Sequence, residues 1–418
     1  MFGISKNHLV LATILFTIFL DLLGVGIVQP TLPVLFDIDG VFATQFGSNW
    51  NNILYGFLIA SYPITQLFGT PALGFLSDIY GRKKILMLSV IGTVIGLMIF
   101  AAGVAWQNLF LLFLGRAIDG FTGGNIFIAQ SVIADTSEKN KKTRNFGFIN
   151  IALGLGLIFG PLFGGALTTI NLFGSTSNLI TPYIFAGVLG LINLIFIMLF
   201  LEETVEINIE VKATKKSEIH WLMSFEQINR AFRIKKLQLY FTLSFLSAMT
   251  FSLFSLFFPK YLTDRFNFNS YQIGIILAYT GFWLAVVVAL VLPYLSRRTT
   301  SQTVLQYGLL GTGLALILTL IPGDPIWFYL LLPIIAGLMG VTTPNLTTLL
   351  TEEVETEKQG EMLGVNQSLQ ALATTSPLFA GFAINLWDKL PIFVAALASI
   401  LAWVIYRFHL DGQLRVRD

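Results

Sequence analysis

The chain contains no cysteine and only three histidines in 418 residues. Without cysteine there can be no disulfide, no thiolate metal site and no cysteine nucleophile. His8, His220 and His409 all lie outside the hydrophobic runs, which excludes a histidine metal cluster inside them. Charge is also scarce. Asp, Glu, Lys and Arg make up 11% of the chain, where a soluble protein carries about 25%. The formal net charge of +2 provides no basic footprint for nucleic acid. No G-x-x-x-x-G-K-[ST] occurs, so the chain is not its own P-loop ATPase. No nucleophile with a nearby base and no carboxylates at metal-ligand spacing are present, which argues against an enzyme. Energy for any pumping would have to come from an ion gradient or a partner.

What the chain has is hydrophobicity, at 55% of residues. A membrane helix needs about 20 apolar residues. Twelve stretches qualify or nearly do: 9–36, 53–76, 85–105, 109–134, 146–170, 183–201, 237–258, 271–295, 304–321, 326–350, 362–386 and 390–406. Lys6 ahead of an apolar run resembles a signal peptide. That run continues past Asp21 to Phe36 without an early small-residue cleavage site, so an uncleaved membrane helix is expected. Of the 25 Lys and Arg residues, 21 fall on the side of the chain termini, three on the other, and Arg116 lies within a helix. The positive-inside rule then places both termini in the cytoplasm.

The chain repeats itself. Residues 119–165 align without gaps on 336–382, with Gly120 on Gly337, Gly123 on Gly340, Asp135 on Glu352, Gly147 on Gly364 and Gly164 on Gly381. The expected architecture is an all-α integral membrane protein with twelve transmembrane helices in two pseudo-symmetric six-helix bundles, residues 1–201 and 237–418. Between them, 202–236 reads as a cytoplasmic linker. Its Trp221, Phe225, Ile228 and Phe232 share one helical face, which suits either a helix lying on the membrane surface or a plain tether.

Spans 2 and 3 are joined by Gly74-Phe75-Leu76-Ser77-Asp78-Ile79-Tyr80-Gly81-Arg82-Lys83-Lys84. Its two glycines permit a sharp turn, and its basic cluster must stay on the cytoplasmic side. The spacing G-x-L-S-D-x-x-G-R-K-K resembles the loop signature of the major facilitator superfamily of secondary transporters. Asp78, Arg82, Asp135 and Arg144 all fall on this face and are expected to form a charge network that holds one conformation closed.

Three charges lie inside the hydrophobic stretches: Asp21, Arg116 and Asp119. Each costs about 2.5–3.5 kcal/mol at a helix centre, so each should face a cavity or another charge. Arg116 and Asp119, three apart, share a helix face. A static ion pair locking span 4 to a neighbour is one explanation. The other is a proton site, in which a carboxylate whose arginine contact changes between inward-open and outward-open states loads and releases protons.

Span 1, from Phe19-Leu20-Asp21 through Gly24 and Gly26 to Gln29-Pro30-Thr31-Leu32-Pro33, resembles the first helix of the tetracycline-efflux group within that superfamily. Span 4, with Arg116 and Gly120, is similar to that group's R-x-x-x-G motif. The resemblance implies that Arg116 is the proton-linked arginine. Asp119 stands where many relatives have an uncharged residue, and its role is inferred from its position alone. Span 5 carries Gly156, Gly160, Pro161, Gly164 and Gly165, similar to the superfamily's antiporter motif, which favours efflux over uptake; tight packing alone is the plainer explanation.

Intramembrane amides and aromatics supply the substrate candidates: Gln29, Asn125, Gln130, Phe254, Phe258, Asn345 and Gln367, although such aromatics are more often packing or lipid-facing and some amides simply glue helices. The second half is expected to carry no interior charge and to form a largely apolar wall. The resemblance implies a proton-coupled antiporter of a small amphipathic compound or drug, working by alternating access as a monomer in a bacterial inner membrane. It would need no cofactor beyond the proton gradient and no metal, and its partners would be substrate, protons and lipid. A proton-coupled symporter importing a metabolite or siderophore is the alternative.

Overall fold

The computed structural model describes residues 6–37, 40–42, 48–137, 142–170, 177–204, 235–321, 323–354 and 359–417. Among these, all regular structure is helical. Span 1 is α1 (Lys6–Val28) followed by the single turn α2 (Leu32–Leu35), with Pro33 in its first turn, where a missing N–H does no harm. Spans 2 and 3 are α3 (Ser48–Tyr80) and α4 (Arg82–Ala105). Span 4 is broken into α5 (Leu109–Thr122) and α6 (Asn125–Thr136). Spans 5 and 6 are α7 (Lys142–Leu167) and α8 (Thr181–Phe200). Span 7 is α9 (Lys235–Phe266). Span 8 is α10 (Ser270–Val286), a π-helical turn (Val287–Val291) and α11 (Leu292–Ser296). Spans 9 and 10 are α12 (Ser301–Leu318) and α13 (Phe328–Glu352). Span 11 is α14 (Gln359–Ala373) and α15 (Pro377–Leu386), and span 12 is α16 (Leu390–Arg417).

Ten spans among the described residues are helical stretches long and apolar enough to cross a membrane, span 1 with a short break before α2. The other two, spans 4 and 11, are interrupted for local reasons. Gly123 and Gly124 have the lowest helix propensity short of proline. In span 11, Pro377 has no N–H to bond the carbonyl of Ala373 and its ring crowds that turn, so the helix restarts with Pro377 at its first position. Non-helical backbone at membrane depth persists only where protein or a polar cavity satisfies it, so each break must find partners among its neighbours.

By contact the chain divides into two compact units. Unit 1 comprises the described residues of Met1–Gln45, Ser61–Trp221 and Phe268–Ala278; unit 2 those of Phe46–Ala60, Leu222–Asn267 and Tyr279–Asp418. The start of span 2 thus groups with unit 2 and the start of span 8 with unit 1. Unit 1 is centred on Ile14 and Ile18 of α1, Leu86 and Val90 of α4, Ile128 and Val132 of α6, and Ile197 of α8. The core of unit 2 draws on Phe241 of α9, Leu305 and Leu309 of α12, Leu349 of α13, Leu369 of α14 and Ala402 of α16. The surface helix expected around Trp221, Phe225, Ile228 and Phe232 lies outside the described residues.

The junction between spans 2 and 3 is tighter than its sequence suggests. Gly74 does not turn: α3 runs through it unbroken to Tyr80, and no described atom would meet a side chain there. The whole reversal is made by Gly81, whose φ of 102° is open to glycine and strained for other residues. Directly after it, the backbone N–H groups of Arg82 and Lys83 donate to the Glu203 carboxylate at 2.7 and 3.3 Å. This acid from the end of span 6 satisfies two orphan donors at the positive end of α4. Gly81→Ala should therefore cost about 1–3 kcal/mol, read as a lower unfolding temperature in detergent, while Gly74→Ala should not.

Candidate functional site

The break in span 4 places the first residue of α6, Asn125, against α1. Its Nδ2 donates to Asp21 Oδ1 at 2.5 Å. The freed carbonyl of Gly123 accepts from Gln66 Nε2 of α3 at 2.9 Å, so the interruption leaves that group satisfied. One turn earlier, Arg116 pairs with Asp119 at 3.4 Å, and both are buried. The Arg116 guanidinium also lies over the ring of Tyr62, 4.6 Å from its centre, a cation–π contact from α3.

Asp21 and Asp119 line one small cleft of about 30 Å³ in unit 1, together with Thr93, Asn125 and Asn193. Asp21 Oδ2 and Arg116 Nε have no hydrogen-bond partner among the described residues. Arg116 thus pairs with Asp119 alone, while Asp21 has one oxygen held by Asn125 and the other uncommitted. Such an acid can gain or lose a proton without giving up the bond that positions it. Both acids face this cleft, as the cost of placing a charge in hydrocarbon demands.

Three residues of this site are not evident from the sequence. Tyr62 is one of twelve tyrosines, and Thr93 one of many threonines. Asn193 accepts a bond from Thr17 at 2.9 Å across α8 and α1. An amide alone in the apolar run of α8 was the available signal for it.

Glycines let α7 come close enough to support α1. A Cβ at Gly156 would stand 2.5 Å from Leu22 Cβ, one at Gly160 would stand 2.8 Å from Gly26 Cα, and one at Gly164 would stand 2.8 Å from Ile27 Cα. Pro161 lies on the same seam, with its Cδ 2.8 Å from where a Gly26 Cβ would be. Gly165 faces the other way, toward Ser270 and Gly274 at the start of α10. Gly160→Ala should separate α1 from α7 and cost about 1–3 kcal/mol. At Gly147 of the same helix no described atom lies within 4 Å of a built Cβ. Gly147→Ala should therefore leave thermal stability unchanged or raise it by up to about 1 kcal/mol.

The other sequence candidates scatter. Arg82 bonds Asp78 at 2.5 Å and Asp135 at 3.3 Å, with Ser77 Oγ accepting at 2.7 Å. Arg144 is exposed and makes no ion pair among the described residues. Gln29 sits in the α1–α2 break and Gln130 on α6, both half-buried, and Gln367 on α14 is exposed. Asn345 donates to Val341 O of its own helix at 2.7 Å. Phe254 and Phe258 stack at 4.9 Å, and Phe258 meets Phe328 edge-on, so both are fully buried in packing rather than presented to a cavity.

Unit 2 does carry an interior charge, contrary to the sequence expectation. Lys260 is buried in α9 and pairs with Asp264 one turn on. The apolar run ends at residue 258, but the helix continues to Phe266, and the i,i+4 partner makes the burial tolerable.

A bundle of twelve membrane spans with a charged cleft inside its first unit defines a membrane transporter. The chain belongs to the Major Facilitator Superfamily, whose family model matches residues 14–376. It is a multi-pass membrane transporter and not an enzyme. Tetracycline resistance protein class H of Pasteurella multocida is 28% identical, with 96% of each chain covered. The class G protein of Vibrio anguillarum is 30% identical over 85% of each. Quinolone resistance protein NorA of Staphylococcus aureus is 26% identical over 96% of this chain and 97% of its own. Among solved structures, the fold matches a D-xylose-proton symporter with a TM-score of 0.76 at 14% identity, covering 96% of this chain and 97% of that one. It also matches the human organic anion transporter MFSD10 (TETRAN), with a TM-score of 0.68 at 20% identity over 96% and 100%.

Proposed function

We propose that this transporter exports a small amphipathic compound, in the chemical class of tetracyclines and quinolones, in exchange for protons. The observation that carries this is the convergence of Asp21 and Asp119 on one cleft, with Arg116 paired to Asp119, in a chain whose full-length relatives are named for resistance to those drugs. Asp21 would be the group that protonates. Arg116 would hold Asp119 in place and, through the ring of Tyr62, answer movement of α3. Arg82, with Asp78 and Asp135, would act as the cytoplasmic latch, and the glycine seam of α7 would keep the acidic cleft closed to leak. Exposed ion pairs contribute only about 0–1 kcal/mol each, enough as a set to bias a two-state equilibrium. The termini would face the cytoplasm of a bacterial inner membrane.

The test is direction of transport. In inverted membrane vesicles energised to an acid interior, tetracycline should accumulate inside, and a protonophore should discharge it. Accumulation only in right-side-out vesicles driven by external acid would instead identify a symporter.

A further inference from the structure

Unit 2 contains a small cavity of its own, of about 30 Å³, lined by α9, α12, α13 and α16. These are spans 7, 9, 10 and 12; the acidic cleft of unit 1 is enclosed by spans 1, 3, 4 and 6. The correspondence extends to residues. Phe19-Leu20-Asp21 recurs as Phe245-Leu246-Ser247, each followed at the same interval by Pro33 or Pro259, which sets Ser247 in the place of Asp21. Gly92-Thr93 recurs as Gly311-Thr312, and the gapless repeat puts Thr342 on Asn125. All six of these matched side chains line their own cavity. Where unit 1 has a second acid, Asp119, the repeat has Ala336.

We infer that this is an uncharged, water-holding twin of the acidic cleft. Six of its nine lining residues carry hydroxyls, and their hydrogen-bond state decides what fits. Thr342 donates to Leu338 O at 2.7 Å and Ser399 to Leu309 O at 2.7 Å, while Thr250 donates to Leu246 O at 2.9 Å. Each spends its proton on backbone and turns lone pairs elsewhere. Ser247 Oγ and Thr312 Oγ1 have no partner among the described residues, and Thr312 is only 3% exposed. An unpaired buried hydroxyl is costly. A ligand that both donates and accepts, and is small enough for the space, removes that cost. Water does so, since a buried water needs two to four polar partners and a polar wall. The cavity holds no carboxylate to retain a cation and no basic group to retain an anion.

The cysteine-free chain allows a direct test. Ser247→Cys and Thr312→Cys each introduce a single thiol, whose S–H stretch is free of other bands in the infrared. In membranes moved to D2O, both thiols should convert to S–D, and their S–H bands should sit at the lower frequency of a hydrogen-bonded thiol. Leu243→Cys, in the apolar core of the same helix, should keep its S–H band. Either pocket thiol suffices if the other variant fails to insert. Exchange no faster than at position 243 would mean a dry cavity and overturn the inference. Slower exchange in sodium chloride than in choline chloride would name a cation as the occupant and overturn it equally.

Discussion

Asp21→Asn should abolish concentrative transport while leaving insertion, folding and downhill equilibration of substrate intact. Asparagine keeps the shape of the side chain and an oxygen for Asn125 Nδ2, which donates to Asp21 at 2.5 Å in the native protein. What it removes is the ability to carry a proton. One proton moving inward yields about 2.3 kcal/mol per 100 mV and about 1.4 kcal/mol per pH unit. At about 1.4 kcal/mol per tenfold, a gradient of 100 mV and one pH unit sustains roughly a 500-fold substrate ratio. The variant should reach a ratio near one under the same gradient in inverted vesicles. Asp21→Glu, which restores an acid, should recover part of the ratio. Full concentration by Asp21→Asn would remove Asp21 from the coupling mechanism.

Arg116→Ala should be the most destabilising change in unit 1. Arg116 and Asp119 are both buried, at 7% and 5% exposure, and 3.4 Å apart. Taking away one member of such a pair leaves a charge without compensation, a loss of about 3–5 kcal/mol. The guanidinium also leaves the face of Tyr62, a contact contributing about 0.5–2 kcal/mol. Thermal unfolding in detergent should show a large drop for Arg116→Ala. Much of it should return in the double variant Arg116→Ala with Asp119→Asn, because the stranded carboxylate is then gone. Stability would return without coupling, since the rescue restores neutrality and not the switchable pair. Equal unfolding temperatures for the single and double variants would contradict an ion pair at this position.

The fold was legible in the sequence because crossing a membrane leaves a blunt record: apolar runs of the right length, and basic residues on one side. Asp21, Arg116 and Asp119 were legible for the same reason, as the only charges within those runs. What sequence could not show is which face of each helix meets which neighbour. In water an apolar stripe marks the buried face, but here lipid is as apolar as the core. Leu199 and Leu386, at 69% and 83% exposure, read no differently from Ile14 at 0%. Tyr62 and Thr93 therefore stayed hidden among ordinary helix residues, and Phe254 and Phe258 suggested a ligand wall where the structure has packing. The ends of helices were equally obscure. Lys260 lies beyond the apolar run yet inside α9, and Gly74 sits in a helix while Gly81 alone makes the turn. Glu203 gave no sign that it caps α4, because a cap contributed from a distant segment has no local spacing.

Exchange of the exported compound for a proton requires mutual exclusion between its binding and protonation of the unit 1 cleft. That exclusion is tested most directly by adding tetracycline to the purified protein in weakly buffered detergent solution and following pH. The account predicts proton release from the native protein and none from Asp21→Asn at matched occupancy, with occupancy measured by tetracycline fluorescence. Equal release from both, or binding to the native protein with no release, would contradict it.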